Sequence, residues 1–245
     1  MTVPTAMEDL EVASLLYREP GFYAEMTDAA APKIAASIAA VVRLYGPIDA
    51  VSVLDVGCGT GAILEQLAKT YSHAVGVDLL PGMVEVASEK RAHLDVRCGD
   101  MRTARLGEVF EVVVCVGNAL SYMIRDQDVT AAFATFAKHC VPAGLLLIQT
   151  LTDFPKIGVT KESVALVAGR TAKATVNYRV DPDGALVTNR TWDFGDGQVE
   201  QDRIRRRVLP MTELSNFAAA AGFRPADWPE PMPGGVAAFV KHTGA

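Results

Sequence analysis

The sequence predicts an α/β fold: a parallel sheet with helices on both faces, carrying an inserted antiparallel sheet. Three observations lead there. Short apolar runs alternate with amphipathic stretches between positions 51 and 150, the pattern of strands joined by crossover helices. A glycine loop, Gly57-Cys58-Gly59-Thr60-Gly61, follows the first apolar run and passes at once into a helical stretch, so bare backbone stands where a strand turns into a helix. After Asp153 the period changes to alternation of apolar and polar residues, the mark of antiparallel strands with one covered face.

Residues 8–46 read as helical, because Ile34, Ile38, Val41, Val42 and Tyr45 recur at helical spacing before Gly46-Pro47 ends the run. The first strand is 51–56 and its helix 62–69; the second strand is 74–78, with a helix through Met83 and Ala87. A short third strand spans 94–98, and a fourth spans 112–116, preceded by Phe110. A helix covers 129–140, and Pro142-Ala-Gly144 breaks the chain before a fifth strand at 145–150.

In the second half, Ala172, Ala174, Val176, Tyr178 and Val180 alternate with polar neighbours, and Asp181-Pro-Asp-Gly184 is a turn. Runs at 186–194 and 198–209 follow, separated at Gly195-Asp-Gly197. These make a three-stranded antiparallel meander, an insertion at 164–209 in a main domain of 1–153 and 210–245 whose first 46 residues form a helical cap. Thr212 caps a helix through Phe217 and Ala221 that Gly222 stops. A strand near Phe223, a proline-rich turn at 229–235 and a strand at 236–241 close the chain as an antiparallel hairpin.

The chain has 245 residues, half of them hydrophobic, enough for one full-sized core. Its formal net charge of -6 argues against nucleic acid or an acidic membrane as partner. It lacks a run of about 18 apolar residues, so no membrane span is expected. The acidic start does not resemble a signal peptide. Four cysteines, at 58, 98, 115 and 140, form no Cys-x-x-Cys pair and have no histidine at metal-ligand spacing. The expectation is no metal site, reduced thiols and a cytoplasmic location.

The glycine loop alone fits two cofactors. Gly57-Cys-Gly59-Thr-Gly61-Ala62 satisfies a dinucleotide fingerprint, and Asp78 at the tip of the second strand is where a ribose would be held. Other features point elsewhere. Asp55 precedes the loop, mostly helical chain comes before it, and the sheet ends in an antiparallel hairpin.

These residues together resemble the class I S-adenosylmethionine-dependent methyltransferases, with a Rossmann-like sheet. Val53-Leu-Asp-Val-Gly-Cys-Gly-Thr-Gly61 resembles that family's first motif and Gly76-Val-Asp-Leu-Leu-Pro-Gly-Met83 its second. Cys98-Gly-Asp-Met101 resembles the third, 110–116 with Gly117-Asn118 the fourth, and Val141-Pro-Ala-Gly-Leu-Leu-Leu147 the fifth. More narrowly, Gly99-Asp-Met101, the inserted sheet and the closing Arg207-x-hydrophobic-x-x-x-Glu-Leu214 are similar to small-molecule N-methyltransferases that dimethylate nucleotide-linked amino sugars.

The resemblance implies a division of labour for the donor S-adenosylmethionine. The loop from Gly57 through Cys58, Gly59 and Thr60 to Gly61 would approach its methionine end, and Asp55 would position that loop and the ammonium. Asp78 would accept from the ribose, though a helix N-cap would also explain it. Leu79 and Met83 would flank the adenine, though Met83 also suits plain core packing. Asp100 would accept from the adenine amino group, with the Met101 amide beside it, and carbonyls near Cys115 and Gly117 would meet the ammonium.

The four histidines sit at element ends or near the C-terminus and read as solvated, His139 as a surface residue complementing a helix dipole. Tyr122, Tyr17 and Tyr23 are the candidates on the catalytic side, with ordinary core packing as their alternative. Asn118, Tyr178, Arg190, Trp192, Arg205 and Arg207 are the candidates for holding a small-molecule acceptor. Arg203, Arg205 and Arg207 lie on one strand face and Arg206 on the other. They would suit an anionic acceptor, or merely keep an exposed strand from pairing.

Methyl transfer to nitrogen or oxygen of a small molecule is the expected activity, in specialised metabolism. Carbon methylation, an NAD-type oxidoreductase and a non-catalytic cofactor-binding protein are the alternatives. A monomer and a homodimer both remain open.

Overall fold

The computed structural model describes residues 14–167, 169–226 and 235–243. The helical reading of 8–13 and most of the proline-rich turn lie outside the described residues. The chain opens with α1 (Leu15–Arg18) and α2 (Pro20–Tyr45), which ends at Gly46 as its sequence predicts. Then follow β1 (Ser52–Val56), α3 (Ala62–Leu67), β2 (His73–Asp78), α4 (Pro81–Lys90), β3 (Asp95–Cys98), β4 (Phe110–Cys115), α5 (Asp126–His139) and β5 (Cys140–Ile148). The insertion comprises β6 (Lys161–Val167), β7 (Arg170–Val180), β8 (Leu186–Asp193) and β9 (Val199–Arg206). The chain closes with α6 (Met211–Ala220), β10 (Phe223–Pro225) and β11 (Ala237–Lys241).

Seven strands form one sheet in the order β10-β11-β5-β4-β1-β2-β3. β1 to β5 pair in parallel, and β11 and β10 are antiparallel. Strand order reverses between β1 and β4, so the loops after these two strands part and leave a crevice at their carboxyl ends.

Period two fills both faces of this sheet. Leu54, Val113 and Leu146 pack against Val129, Phe133, Phe136 and Leu214 of α5 and α6. Val53, Val112, Val114, Leu145 and Leu147 face the other way, onto Ala35, Ile38 and Val41 of α2.

The insertion is a separate antiparallel sheet of four strands, β6-β7-β8-β9, one more than the meander expected from the sequence. β6 is an exposed edge strand paired on one side only, and Lys161-Glu-Ser-Val-Ala165 carries no period-two signal.

Three local readings are corrected. β5 already runs from Cys140 through the Pro142-Ala-Gly144 segment. The segment is taken up as an irregularity: Phe110 stands opposite Cys140 while Val112 stands opposite Leu145. Pro210, not Thr212, precedes α6, with no side-chain cap, whereas Gly222 does follow its end with φ +84°. His139 is buried rather than on the surface: its Nε2 accepts from Leu106 N at 3.0 Å, so Nδ1 is the donor to Thr135 O at 2.8 Å.

Candidate functional site

The crevice is built on the glycine loop. Gly57, Gly59 and Gly61 have φ of +79°, +56° and +80°, left-handed values that favour glycine. A Cβ on Gly57 would lie 2.6 Å from Ala119 Cβ, and one on Gly59 would lie 2.7 Å from Tyr23 Cε1. The loop is thus pressed between the chain after β4 and a tyrosine ring from α2. The amides of Gly57 and Cys58 donate to Val77 O, which ties the loop to β2.

Two acids bracket this loop. Asp78 Oδ2 accepts from Gly59 N at 2.7 Å and Oδ1 from Leu80 N at 3.0 Å. Each oxygen keeps capacity for a further donor. Burial raises its pKa, against the pull of the Leu80 and Gly59 amides. Asp55 is buried at the end of β1, and neither of its oxygens has a hydrogen-bond partner. Burial, and then the charge of Asp78, push its carboxyl up to about 7. A bare buried carboxylate is costly, so Asp55 is chemically suited to meet a cationic group.

The cleft is lined by Gly57, Gly59, Asp78, Leu79, Met83, Asp100, Met101, Gly117, Tyr17, Tyr23 and Tyr122, all sequence candidates. Leu80, Gly99, Val116, Ala119 and Met123 also line it; the first three lie within the quoted motifs without having been given a role, and the other two follow the fourth motif. Asp55, Cys58, Thr60, Gly61, Cys115 and Asn118 are not among its lining; Asp55 lies buried beneath the loop. Cys58 packs beneath the loop, where a Cβ on Gly76 would come 2.8 Å from its sulfur. Cys115 sits in the core, its thiol pKa raised by burial. Asn118, with φ +65°, starts a 3-10 turn (Ala119–Tyr122). Asp100 is gripped by Arg102, whose Nε lies 3.0 and 2.9 Å from its two oxygens. Burial pushes the Asp100 carboxyl up, and Arg102 more than offsets it, leaving the pKa below its usual value.

Three half-buried tyrosines also line the cleft. Tyr17 OH donates to Tyr122 OH at 2.5 Å, and the Tyr17 ring centroid lies 5.8 Å from that of Tyr122 and 6.1 Å from that of Tyr23. Burial raises the pKa of all three. Each therefore rests as a neutral hydroxyl at physiological pH.

The acceptor candidates divide. Trp192 is core: it packs with Leu15, Leu16 and Ala174, and its Nε1 donates to Asp202 Oδ2 at 2.9 Å. Arg190 stacks 5.0 Å above that ring. Tyr178 stands under Lys161 Nζ at 5.9 Å. Arg205 points to the solvent side, paired with Asp181 at 3.2 Å and with Asp183, and does not reach the cleft. Arg207 clasps Asp126 at 2.5 Å and Glu213 at 3.0 Å, tying α5 to α6 near Tyr122.

Known proteins resemble this chain in sequence and in fold. A family model described as a methyltransferase domain matches residues 53–144. A dTDP-4-amino-2,3,4,6-tetradeoxy-D-glucose N,N-dimethyltransferase from Saccharopolyspora spinosa is 30% identical over 72% of this chain and 80% of its own length. The chain belongs to the class I S-adenosylmethionine-dependent methyltransferases. The methyltransferase is also similar to CalS10, an amino pentose methyltransferase from Micromonospora echinaspora whose structure contains S-adenosylmethionine. The two share 27% identity at a TM-score of 0.75, covering 84% of this chain and 89% of that one. DesVI from Streptomyces venezuelae matches at 28% identity and a TM-score of 0.76, over 96% of this chain and 98% of its own.

S-adenosylmethionine is therefore the methyl donor, and the dehydrogenase reading of the loop falls. The residues present fit this group: a cradle that a Cβ would fill, an unpartnered buried carboxylate and a second carboxylate with spare acceptor capacity. The donor supplies an electrophilic methyl on a sulfonium, and the enzyme transfers it to a small molecule. Among the described residues, no helix is long and apolar enough to cross a membrane.

Proposed function

We propose that this methyltransferase acts on the free amino group of a nucleotide-linked amino sugar. The observation that carries the choice of nitrogen is the trio of half-buried tyrosines lining the cleft, whose hydroxyls rest protonated. A hydroxyl acceptor must lose its proton near the transition state and calls for a base, whereas a neutral amine already presents a lone pair and calls mainly for alignment and exclusion of water. Tyr17 and Tyr122 would accept from the amine N–H groups and aim the lone pair. Asp55 and the loop through Gly57 and Gly59 would hold the methionine end of the donor, and Asp78 its ribose. Leu79, Met83 and Met101 would flank the adenine, with Asp100 at its edge. The sugar nucleotide is suggested by the relative from Saccharopolyspora spinosa, by CalS10 and by the inserted sheet that faces the tyrosines. Free thiols at Cys58, Cys98, Cys115 and Cys140 support a cytoplasmic location.

The test is product mass after incubating enzyme and S-adenosylmethionine with dTDP-linked 3-amino and 4-amino sugars, a phenol panel and a keto-acid panel. Gain of one or two methyl groups on an amino sugar is expected. Methylation of phenols or keto acids alone overturns the reading. Tyr122→Phe is expected to lower kcat/KM about a hundredfold, the cost of lost alignment, with affinity for S-adenosylhomocysteine unchanged.

A further inference from the structure

Of the arginines singled out in the sequence, Arg205 faces solvent, whereas Arg190 and Arg206, the one on the opposite face of its strand, lie on the inner side. Arg190 stands opposite Asp202 and Thr188 opposite Ile204, while Arg206 pairs with Leu186. By alternation Thr188, Arg190 and Trp192 therefore share one side of the sheet with Asp202, Ile204 and Arg206. That side is the covered one. Trp192 packs there against Leu15 and Leu16 of α1, and β9 lies against the turn that ends in Tyr122. Lys161 falls on the same side, because it stands opposite Val176, which stands opposite Arg190.

The two guanidinium groups are not satisfied there. Arg206 Nη2 donates to Thr188 Oγ1 at 2.9 Å, yet its Nε is buried without a partner, as is Arg190 Nη1. The acid beside them is engaged elsewhere: Asp202 Oδ1 takes Leu15 N at 2.6 Å and Oδ2 takes Trp192 Nε1 at 2.9 Å. Arg190 Nη1 is 3.5 Å from that second oxygen, an ion pair without hydrogen-bond geometry. Both guanidinium groups are near enough to Tyr122 to pull its pKa down against the larger effect of burial. On the solvent side the pattern is opposite, for Arg203 and Arg205 share Asp181 and Arg205 also holds Asp183. Buried cationic donors without acceptors cost stability, and a guanidinium fork matches the oxygens of phosphate.

We propose that Arg190 and Arg206, with the Thr188 hydroxyl between them, form a diphosphate subsite beyond the Tyr17–Tyr122 pair, which anchors a nucleotide-linked acceptor while its sugar reaches the methyl donor. The inference rests on the amino-sugar nucleotide reading above. In this arrangement the anchor lies on the inserted sheet and the reacting end lies on the main sheet, so acceptor and donor are gripped by different parts of the fold.

The test uses the enzyme loaded with S-adenosylhomocysteine and titrated calorimetrically with thymidine diphosphate and with inorganic pyrophosphate. Arg190→Gln, Arg206→Gln, Arg206→Lys and the solvent-side control Arg205→Gln are compared. Wild type is expected to bind thymidine diphosphate, each inward Gln variant to weaken it at least tenfold, and Arg206→Lys to recover part of the loss. Arg205→Gln should bind as wild type does. The same inward variants should raise KM for a dTDP-amino sugar at least tenfold while kcat falls less. Retained affinity for S-adenosylhomocysteine in every variant reports an intact fold; if the Gln variants fail to fold, Arg206→Lys alone must still weaken thymidine diphosphate binding. Unchanged diphosphate affinity and KM in the inward variants overturn the subsite even if amino-sugar nucleotides are good substrates. Arginine-dependent diphosphate binding with no amino-sugar turnover upholds the subsite and overturns the proposed acceptor.

Discussion

Asp55 ends β1 with two bare oxygens, and its carboxyl is pushed up to about 7 by burial and by Asp78. In the free enzyme its native pKa lies above the unfolded value, so the native state holds the extra proton between the two and stability falls as pH rises through that window. Binding runs the other way. A cationic partner favours the ionised form, so affinity for S-adenosylhomocysteine is expected to drop as pH is lowered through 7, by up to about tenfold per unit well below it. Asp55→Asn should weaken binding and flatten the profile; calorimetry across that range checks both, and a flat wild-type profile would remove Asp55 from this role. Asp55, Asp78 and the glycines were legible in the chain because each belongs to a motif in which residue type and spacing carry the chemistry. Arg102 was not, although it adjoins Asp100 and Met101 in the sequence. A bidentate grip depends on how the chain turns after β3, and that is invisible in spacing.

At the scale of elements, α1 is a latch between the two sheets. Leu15 N and Trp192 Nε1 both donate to Asp202, Arg18 reaches Glu200 at 3.1 Å, and Tyr17 meets Tyr122. Asp202→Ala would leave two buried donors unpaired, at about 1–3 kcal/mol each. Urea denaturation should show a loss of about 2–6 kcal/mol, and acceptor KM should rise as Tyr17 loses its support. A loss below that range would mean that α1 is held by packing alone. Alternation made β7, β8 and β9 readable as strands. It did not expose β6, an edge strand without that period. It also could not say which parity faced inward: Arg205 and Arg206 are neighbours, and only the position of α1 over the sheet decides that Arg206 is the inward one. His139 misled for a related reason, since a helix end in sequence is a buried end when another segment, here the one carrying Leu106, folds across it.

For the whole molecule, the cleft joins parts of the chain that are distant in sequence: the helices before β1, the glycine loop, the segments after β2 and β3, and the turn after β4. Arg91 binds two of them together. It is buried, with Nη1 on Thr60 O at 3.1 Å, Nε on Glu65 at 3.1 Å and Nη2 on Asp28 of α2 at 2.5 Å. The same side chain that fixes the glycine loop therefore fixes the helix that lays Tyr23 over Gly59. A ligand in the cleft touches all of these parts at once, so its binding energy adds to the stability of the native state as a unit. At a hundred times its dissociation constant S-adenosylhomocysteine should contribute about 2.7 kcal/mol. For a chain of this size that is a rise in Tm of about 5–10 °C. Arg91→Met uncouples the helix from the loop while leaving Asp28 and Glu65 near enough to solvent to be hydrated, with 36% and 30% of their side chains exposed. The variant is expected to fold, to bind S-adenosylhomocysteine about tenfold or more weakly, and to lose about half of the Tm rise at the same ligand concentration, since a tenfold loss of affinity is about 1.4 kcal/mol. Thermal denaturation with and without ligand separates the two possibilities: a lowered Tm with a full ligand-induced rise would make Arg91 a purely structural brace, whereas a diminished rise identifies it as the residue through which the glycine loop and α2 together hold the ligand.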